Sequence, residues 1–270
     1  MSTHDDEGLA WQIRVWDRMA EVYQHEIDRR FVPVIEEVID RAMLQPGETI
    51  LDLGTGTGAV AIRAAAQVGA DGRIKAVDVS PEMLVKARER LRHLAITNVD
   101  VAEGRAEAIP ADDQSIDAVI ASLSLMYVID RAAAAKEIAR VLRPGGRFVA
   151  AVWAGPHETD IVKFQQTAGS FAPKPPVHGV GPGALADPSE ILSQLQAAGL
   201  DGRCETVTTT FEFSNFQTAW DALAGVTTAT LDPSIQQEAK TAVRELMWAD
   251  ASSPRTFRNA TQLILARKTS

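Results

Sequence analysis

The stretch Ile50-Leu51-Asp52-Leu53-Gly54-Thr55-Gly56-Thr57-Gly58 constrains the fold more than any other part of this 270-residue chain. A short apolar run ends in a carboxylate, passes into a glycine loop and opens an alanine-rich segment. Gly54 and Gly56 let the backbone turn sharply and approach a ligand that a Cβ would hold away. A helix beginning at Thr57 would aim its free N–H groups at the same place. A strand feeding a helix through such a loop is the first half of a βαβ unit, and the chain goes on repeating that alternation.

Further strands are expected at residues 74–78, 99–103, 116–121 and 147–153, after the first at 49–53. Helices are expected between them at 57–68, 81–94 and 130–142, the last stopped by Pro144-Gly145-Gly146. Alternation at this spacing demands right-handed crossovers and a parallel, doubly wound α/β sheet. Ahead of it, residues 9–24 place Trp11, Val15, Met19 and Val22 at spacings of three and four, an amphipathic helix. A second helix is expected at 33–43, broken by Pro46-Gly47. After Trp153 the pattern changes. Residues 154–187 hold five prolines and read as a helix near 161–171 followed by a loop that could serve as a flap. A helix at 188–198, strands at 203–213 and 257–267, and helical material at 216–249 between those strands complete the chain. The two late strands suit an antiparallel pair added to the sheet edge.

Read as a bare pattern, Gly54-x-Gly56-x-x-Ala59 also fits a dinucleotide fingerprint. Asp52 argues against it, because a carboxylate beside the first glycine repels a pyrophosphate and attracts an ammonium or a sulfonium. S-adenosylmethionine carries both cations and no phosphate. That cofactor predicts a second acid at the end of the next strand, to accept from a ribose diol. Asp78 stands there, about 20 residues beyond the loop. The competing role for Asp78 is a helix cap, which Ser80 followed by Pro81 already fills.

Composition narrows the partners. The chain is 46% hydrophobic and 23% charged, which suits one domain with three segments: an N-terminal helical cap (1–45), a cofactor core (46–153), and a lid insertion with strands that complete the sheet (154–270). A net charge of -9 disfavours nucleic acid. The single cysteine, Cys204, excludes an internal disulfide and a multi-cysteine metal site, and no metal is expected. With no apolar run of about 18 residues and no apolar leader, membrane insertion is not expected and a cytoplasmic location is.

Four segments in order resemble the class I S-adenosylmethionine-dependent methyltransferases, specifically the small-molecule group similar to ubiquinone and menaquinone biosynthesis methyltransferases. They are residues 51–58, the run Ala76-Val77-Asp78-Val79-Ser80-Pro81-Glu82-Met83-Leu84, the run Gly104-Arg105-Ala106-Glu107-Ala108-Ile109-Pro110, and residues 137–146. The resemblance implies a Rossmann-like, seven-stranded sheet, mostly parallel with the last strand antiparallel. It also implies that Asp52, Gly54 and Gly56 hold the methionine moiety, with Thr57 at the helix start. Asp78 would bind the ribose, Val79 and Met83 would pack on the adenine, Arg105-Ala106 would contact its amino group, and Ser122 would face the sulfonium. Relatives carry an acid where Arg105 stands, so Ala106 or Glu107 must be considered for that amine.

Methyl transfer depends chiefly on alignment, so a base is optional. Candidate bases are His25, His178, His157 and Asp130; the competing roles are a solvated polar face for His25, a plain mobile-loop position for His178 and a helix start for His157. Tyr23, Met126, Tyr127 and Trp153 are the expected substrate pocket, alongside aromatic residues that could equally be plain core. The expected activity is O- or C-methylation of a small hydrophobic or aromatic molecule, with N-methylation as the alternative. The rivals from other classes are a nicotinamide oxidoreductase and a non-catalytic S-adenosylmethionine-binding protein.

Overall fold

The computed structural model describes residues 3–269. Its five apolar runs become β1 (Thr49–Leu53), β2 (Arg73–Asp78), β3 (Val99–Glu103), β4 (Ile116–Ser122) and β5 (Leu142–Trp153), paired in parallel. Strands β6 (Leu200–Phe213) and β7 (Arg255–Lys268) extend the sheet, with β7 antiparallel to both β5 and β6. The seven strands lie in the order β3-β2-β1-β4-β5-β7-β6. Ile50, Leu51, Ile74, Val119, Ile120 and Phe148 are almost fully buried, as unbroken apolar strands must be when helices cover both sheet faces. No described helix is long and apolar enough to cross a membrane.

The crossover helices α3 (Ala59–Val68), α4 (Pro81–His93) and α5 (Arg131–Val141) start where local chemistry dictates. The Ser80 hydroxyl accepts from the Met83 N–H and caps α4, and the Asp130 carboxylate accepts from the Ala133 N–H and caps α5. Helix α3 opens at Ala59 rather than at Thr57, because Gly58 adopts a left-handed φ of 85° and holds the loop open for two more residues. Pro144-Gly145-Gly146 ends α5 as expected, yet β5 already pairs at Leu142. The register then jumps from Ile116↔Leu142 to Ala118↔Arg147, so the Pro-Gly-Gly segment bulges out of the ladder.

The N-terminal region differs from its sequence reading. Helix α1 (Thr3–Val22) continues through a π turn (Tyr23–Ile27) directly into α2 (Asp28–Ala42), so Pro33 lies inside a helix and does not begin one. The buried stripe Ile27, Phe31, Val34, Ile35, Val38, Ile39 explains this, since apolar contact on both sides of the proline offsets the hydrogen bond it cannot donate. After β5 come α6 (Asp160–Gly169) and α7 (Ser189–Ala197), then α8 (Phe216–Leu223), α9 (Gly225–Thr228) and α10 (Pro233–Met247) between β6 and β7. The proline-rich loop before α7 packs down, with Gly181 N–H donating to Met126 O and Arg131 to Gly179 O.

Candidate functional site

A cavity of about 1150 Å³, counting its open mouth, lies beyond the carboxyl ends of β1, β2 and β4. This is where the strand order reverses, the expected crevice of a doubly wound sheet. Its rim is the glycine loop. Gly54 has φ +76°, and a Cβ there would stand 2.3 Å from the Ser124 Cβ. Gly56, at φ +54°, would aim a Cβ at nothing nearer than the Met83 sulfur at 4.0 Å, so its bare backbone leaves room for a ligand. From β2, Asp78 reaches the same space. Its Oδ2 accepts from the Gly56 N–H at 2.8 Å and its Oδ1 from the Ser80 N–H at 2.9 Å. Burial, opposed by those amides, raises its pKa above the ordinary carboxylate range.

Gly54, Gly56, Asp78, Val79, Met83, Arg105, Ala106 and Ser122 all line this cavity. Asp52 and Thr57 do not. Side chains alternate along a strand, so Leu53 faces the cavity and Asp52 the opposite side. Asp52 is 1% exposed; its Oδ2 accepts from the Thr55 hydroxyl at 2.6 Å, and its Oδ1 accepts no hydrogen bond among the described residues. Burial pushes its pKa up to about 7. Thr57 is equally buried, its hydroxyl donating to Asp28 Oδ2 and accepting from Arg90. Both residues support the loop from behind. The negative charge inferred from Asp52 is instead supplied within the cavity by Asp28 and Asp78. At the other end Arg105 pairs with Glu107 at 3.1 Å, and Glu107 lines the cavity, so a carboxylate is present two residues after the expected position.

A smaller compartment of about 390 Å³ adjoins the first and shares Trp16, Tyr23, Phe31, Leu123 and Tyr127 with it. Helices α6, α8 and α9 close its far side through Ile161, Gln165, Ala222, Leu223 and Val226, and Trp153 forms a wall. Trp16 stands edge-on to Tyr127, centroids 4.8 Å apart, and to Tyr23 at 6.2 Å. Burial raises the pKa of both tyrosines, so their phenols stay protonated at neutral pH. Met126 is fully buried beneath the site and lines neither space.

The candidate bases are not brought here. His25 pairs with Glu21 at 2.8 Å with its side chain 62% exposed. His178 and His157 are exposed on loops, and Asp130 is occupied as a helix cap. His25 projects from the π turn on the side away from the cavity, whereas Tyr23, two residues earlier, points in. Gln12, Trp16 and Asp28 are lining residues that sequence reasoning passed over. Trp16 had a visible signal, a large aromatic off the stripe of Trp11, Val15, Met19 and Val22. Asp28 had none, because the expected break at Pro33 hid the helix that carries it.

Residues 44–168 match a family model described as a methyltransferase domain. Over 150 residues the chain is 32% identical to the ubiquinone/menaquinone biosynthesis C-methyltransferase UbiE of Enterobacter sp. (strain 638), covering 55% of this chain and 57% of that protein. It is 40% identical over 106 residues to the arsenite methyltransferase of Halobacterium salinarum, 39% of this chain and 27% of that one. The chain thus spans little more than half the length of the curated relatives it matches best among these. The YcgJ protein of Bacillus subtilis superposes with a TM-score of 0.65 at 20% identity, covering 87% of this chain and 98% of that one; at such identity the likeness is one of fold. Strand order, the cavity at the glycine loop and the matched segment agree, and residues 44–168 of the chain are similar to a methyltransferase domain.

Proposed function

We propose that the protein transfers a methyl group from S-adenosylmethionine to a small hydrophobic or aromatic molecule, at oxygen or carbon. One observation carries this reading: the cavity at the glycine loop adjoins an aromatic compartment, the two sharing Trp16, Tyr23, Phe31, Leu123 and Tyr127 as a common wall. The residues present fit the methyl donor. Asp78 offers a carboxylate to a ribose diol, Val79 and Met83 offer apolar surface to a purine, and Glu107 and the Ala106 backbone offer acceptors to an exocyclic amine. A pyrophosphate is disfavoured, since Asp28 and Asp78 flank the glycine loop and Arg105, the one cationic side chain among the described lining residues, is paired with Glu107.

The donor supplies an electrophilic methyl on a good leaving group, and the chain's residues supply alignment and a dry surround. Trp16, Phe31 and Trp153 exclude water and hold a flat acceptor against the shared wall. Tyr23 and Tyr127 offer hydrogen bonds that orient an acceptor oxygen toward the methyl group. No histidine among the described residues lines either space, which favours an acceptor activated by its own acidity or by alignment alone. Within this reading residues 3–45 cap the site, 46–153 bind the donor, and 154–269 close the acceptor side. The single cysteine suits a reducing, cytoplasmic setting.

Calorimetric titration with S-adenosylhomocysteine is expected to show binding, and no heat at millimolar ligand would refute the donor assignment. Incubation with isotopically labelled methyl donor and an extract of the native host, followed by mass spectrometry, should reveal a labelled phenolic, enolic or ring-carbon product. A labelled amine would redirect the acceptor class to nitrogen.

A further inference from the structure

Helix α6 carries one residue that packing alone does not call for. Ile161, Val162, Phe164 and Ala168 form its buried face at no more than 2% exposure, and Gln165 stands among them at 7%. A carboxamide has two donor hydrogens and an acceptor oxygen to satisfy, and buried polar groups are seldom left without partners. The Gln165 side chain makes no hydrogen bond with any described residue. It lines the smaller compartment and not the cavity at the glycine loop. Around it the wall is apolar, formed by Ile161, Ala222, Leu223 and Val226. None of the described residues lining this compartment is charged, whereas the cavity beside it holds Asp28, Asp78, Arg105 and Glu107.

We propose that Gln165 is the specificity-determining residue of the acceptor compartment: its carboxamide pairs with a neutral oxygen, carbonyl or hydroxyl, on the edge of the acceptor remote from the atom that is methylated. This rests on the methyl-donor reading above and narrows the acceptor which that reading leaves open. The placement follows from which walls are shared. Tyr23 and Tyr127 belong to both spaces, so the reacting atom meets them beside the donor, whereas Gln165 belongs to the compartment alone. The neutrality follows from the same walls. A carboxylate, phosphate or ammonium would enter an apolar space with no ion to pair with it, and desolvating an unpaired charge costs far more than desolvating a carbonyl. A carbonyl or hydroxyl needs a single partner, and the carboxamide serves as donor to the first and as acceptor from the second. The competing role is structural, with Gln165 holding an ordered water that no acceptor displaces.

The test is calorimetric titration of the full chain, first with S-adenosylhomocysteine and then, once saturated, with three single-ring probes at neutral pH. 4-Hydroxyacetophenone carries a phenol and a carbonyl at opposite edges, 4-ethylphenol lacks the carbonyl oxygen, and 4-hydroxybenzoate has a carboxylate in its place. The wild-type protein is expected to bind 4-hydroxyacetophenone at least about tenfold more tightly than either other probe. Gln165→Leu is expected to bring 4-hydroxyacetophenone and 4-ethylphenol within about twofold of each other, with 4-ethylphenol bound no more weakly than by the wild type. Equal weakening of all three probes would make Gln165 structural and overturn the proposal, as would a wild-type preference that survives the substitution. Tighter wild-type binding of 4-hydroxybenzoate would overturn it too, as would failure of the saturated protein to bind any probe. If Gln165→Leu does not fold, Gln165→Met carries the same expectation, and equal wild-type affinity for 4-hydroxyacetophenone and 4-ethylphenol is incompatible with the assignment in any case. Failure to bind S-adenosylhomocysteine in the first titration would overturn the methyl-donor reading itself, a result distinct from probe binding that ignores Gln165.

Discussion

Replacing Gly54 by alanine sets two costs against the loop that can be worked out in advance. The left-handed φ of +76° penalises any L side chain by about 1–2 kcal/mol. The new Cβ would stand 2.3 Å from the Ser124 Cβ and 2.8 Å from its hydroxyl, far inside the roughly 3.5 Å at which carbon atoms meet comfortably. Ser124 must retreat and release the 2.7 Å hydrogen bond its hydroxyl donates to Leu53 O, a loss of about 1 kcal/mol. Together these come to about 2–3 kcal/mol, or roughly 4–12 °C in melting temperature for a chain of this size. Because Gly54 and Ser124 both line the cavity, affinity for S-adenosylhomocysteine should fall as well, by about tenfold. Thermal melts and calorimetry measure both. Ser124→Gly alone should cost about 1 kcal/mol, and Gly54→Ala with Ser124→Gly no more than Gly54→Ala alone, since one bond cannot be lost twice. Strict additivity of the two changes would refute the clash argument, as would a Gly54→Ala protein with wild-type melting and affinity.

Asp78→Ala should lose at least tenfold in affinity for both S-adenosylhomocysteine and 5′-methylthioadenosine, because the ribose is common to both; calorimetry reads this directly. Asp52→Asn should gain stability over the wild type as pH rises. The folded-state pKa is raised from 3.8 to about 7, so the native state holds a proton that the unfolded state releases, and wild-type stability falls between those values. Urea midpoints should show the variant's advantage growing by about 2 kcal/mol between pH 5 and pH 8, and a constant difference would refute it. His25→Ala and His178→Ala should each leave the methyl-transfer rate within about twofold, since neither side chain lines either compartment; a loss of about a hundredfold, the usual scale for removing a general base, would restore them as catalytic candidates.

What the sequence made legible follows from how local each signal is. Strands β1 to β4 announce themselves as short apolar runs between turn residues, and Asp78 follows from the length of one βαβ unit. Direction within a strand end was less legible. Asp52 and Leu53 are neighbours, and only the pleat decides that Leu53 meets the cavity while Asp52 turns behind it. Residues supplied from a distance were the least legible. Asp28, Gln12 and Gln165 enter through helices whose position over the sheet depends on tertiary packing, and Pro33 pointed to a helix boundary that the buried stripe of α2 overrides. The histidines failed as candidates for the same reason: their spacing carried no information about which side of a turn they occupy.

The π turn between α1 and α2 amounts to a phase slip in one long helix. A regular α-helix advances about 100° per residue, so without the extra residue Trp16 and Ile35, nineteen positions apart, would point about 100° away from each other. Removing one residue from the count leaves eighteen, five whole turns, and Trp16 then shares its bearing with Ile35, as their joint presence in the cavity wall requires. The N-terminal cover and the sheet-packing helix are therefore geared together by a single inserted position. Were the same residues to wind as regular α-helix, the tryptophan would swing about 100° out of the site with every residue of α2 in place, whereas deleting one residue within 23–27 would keep it in phase.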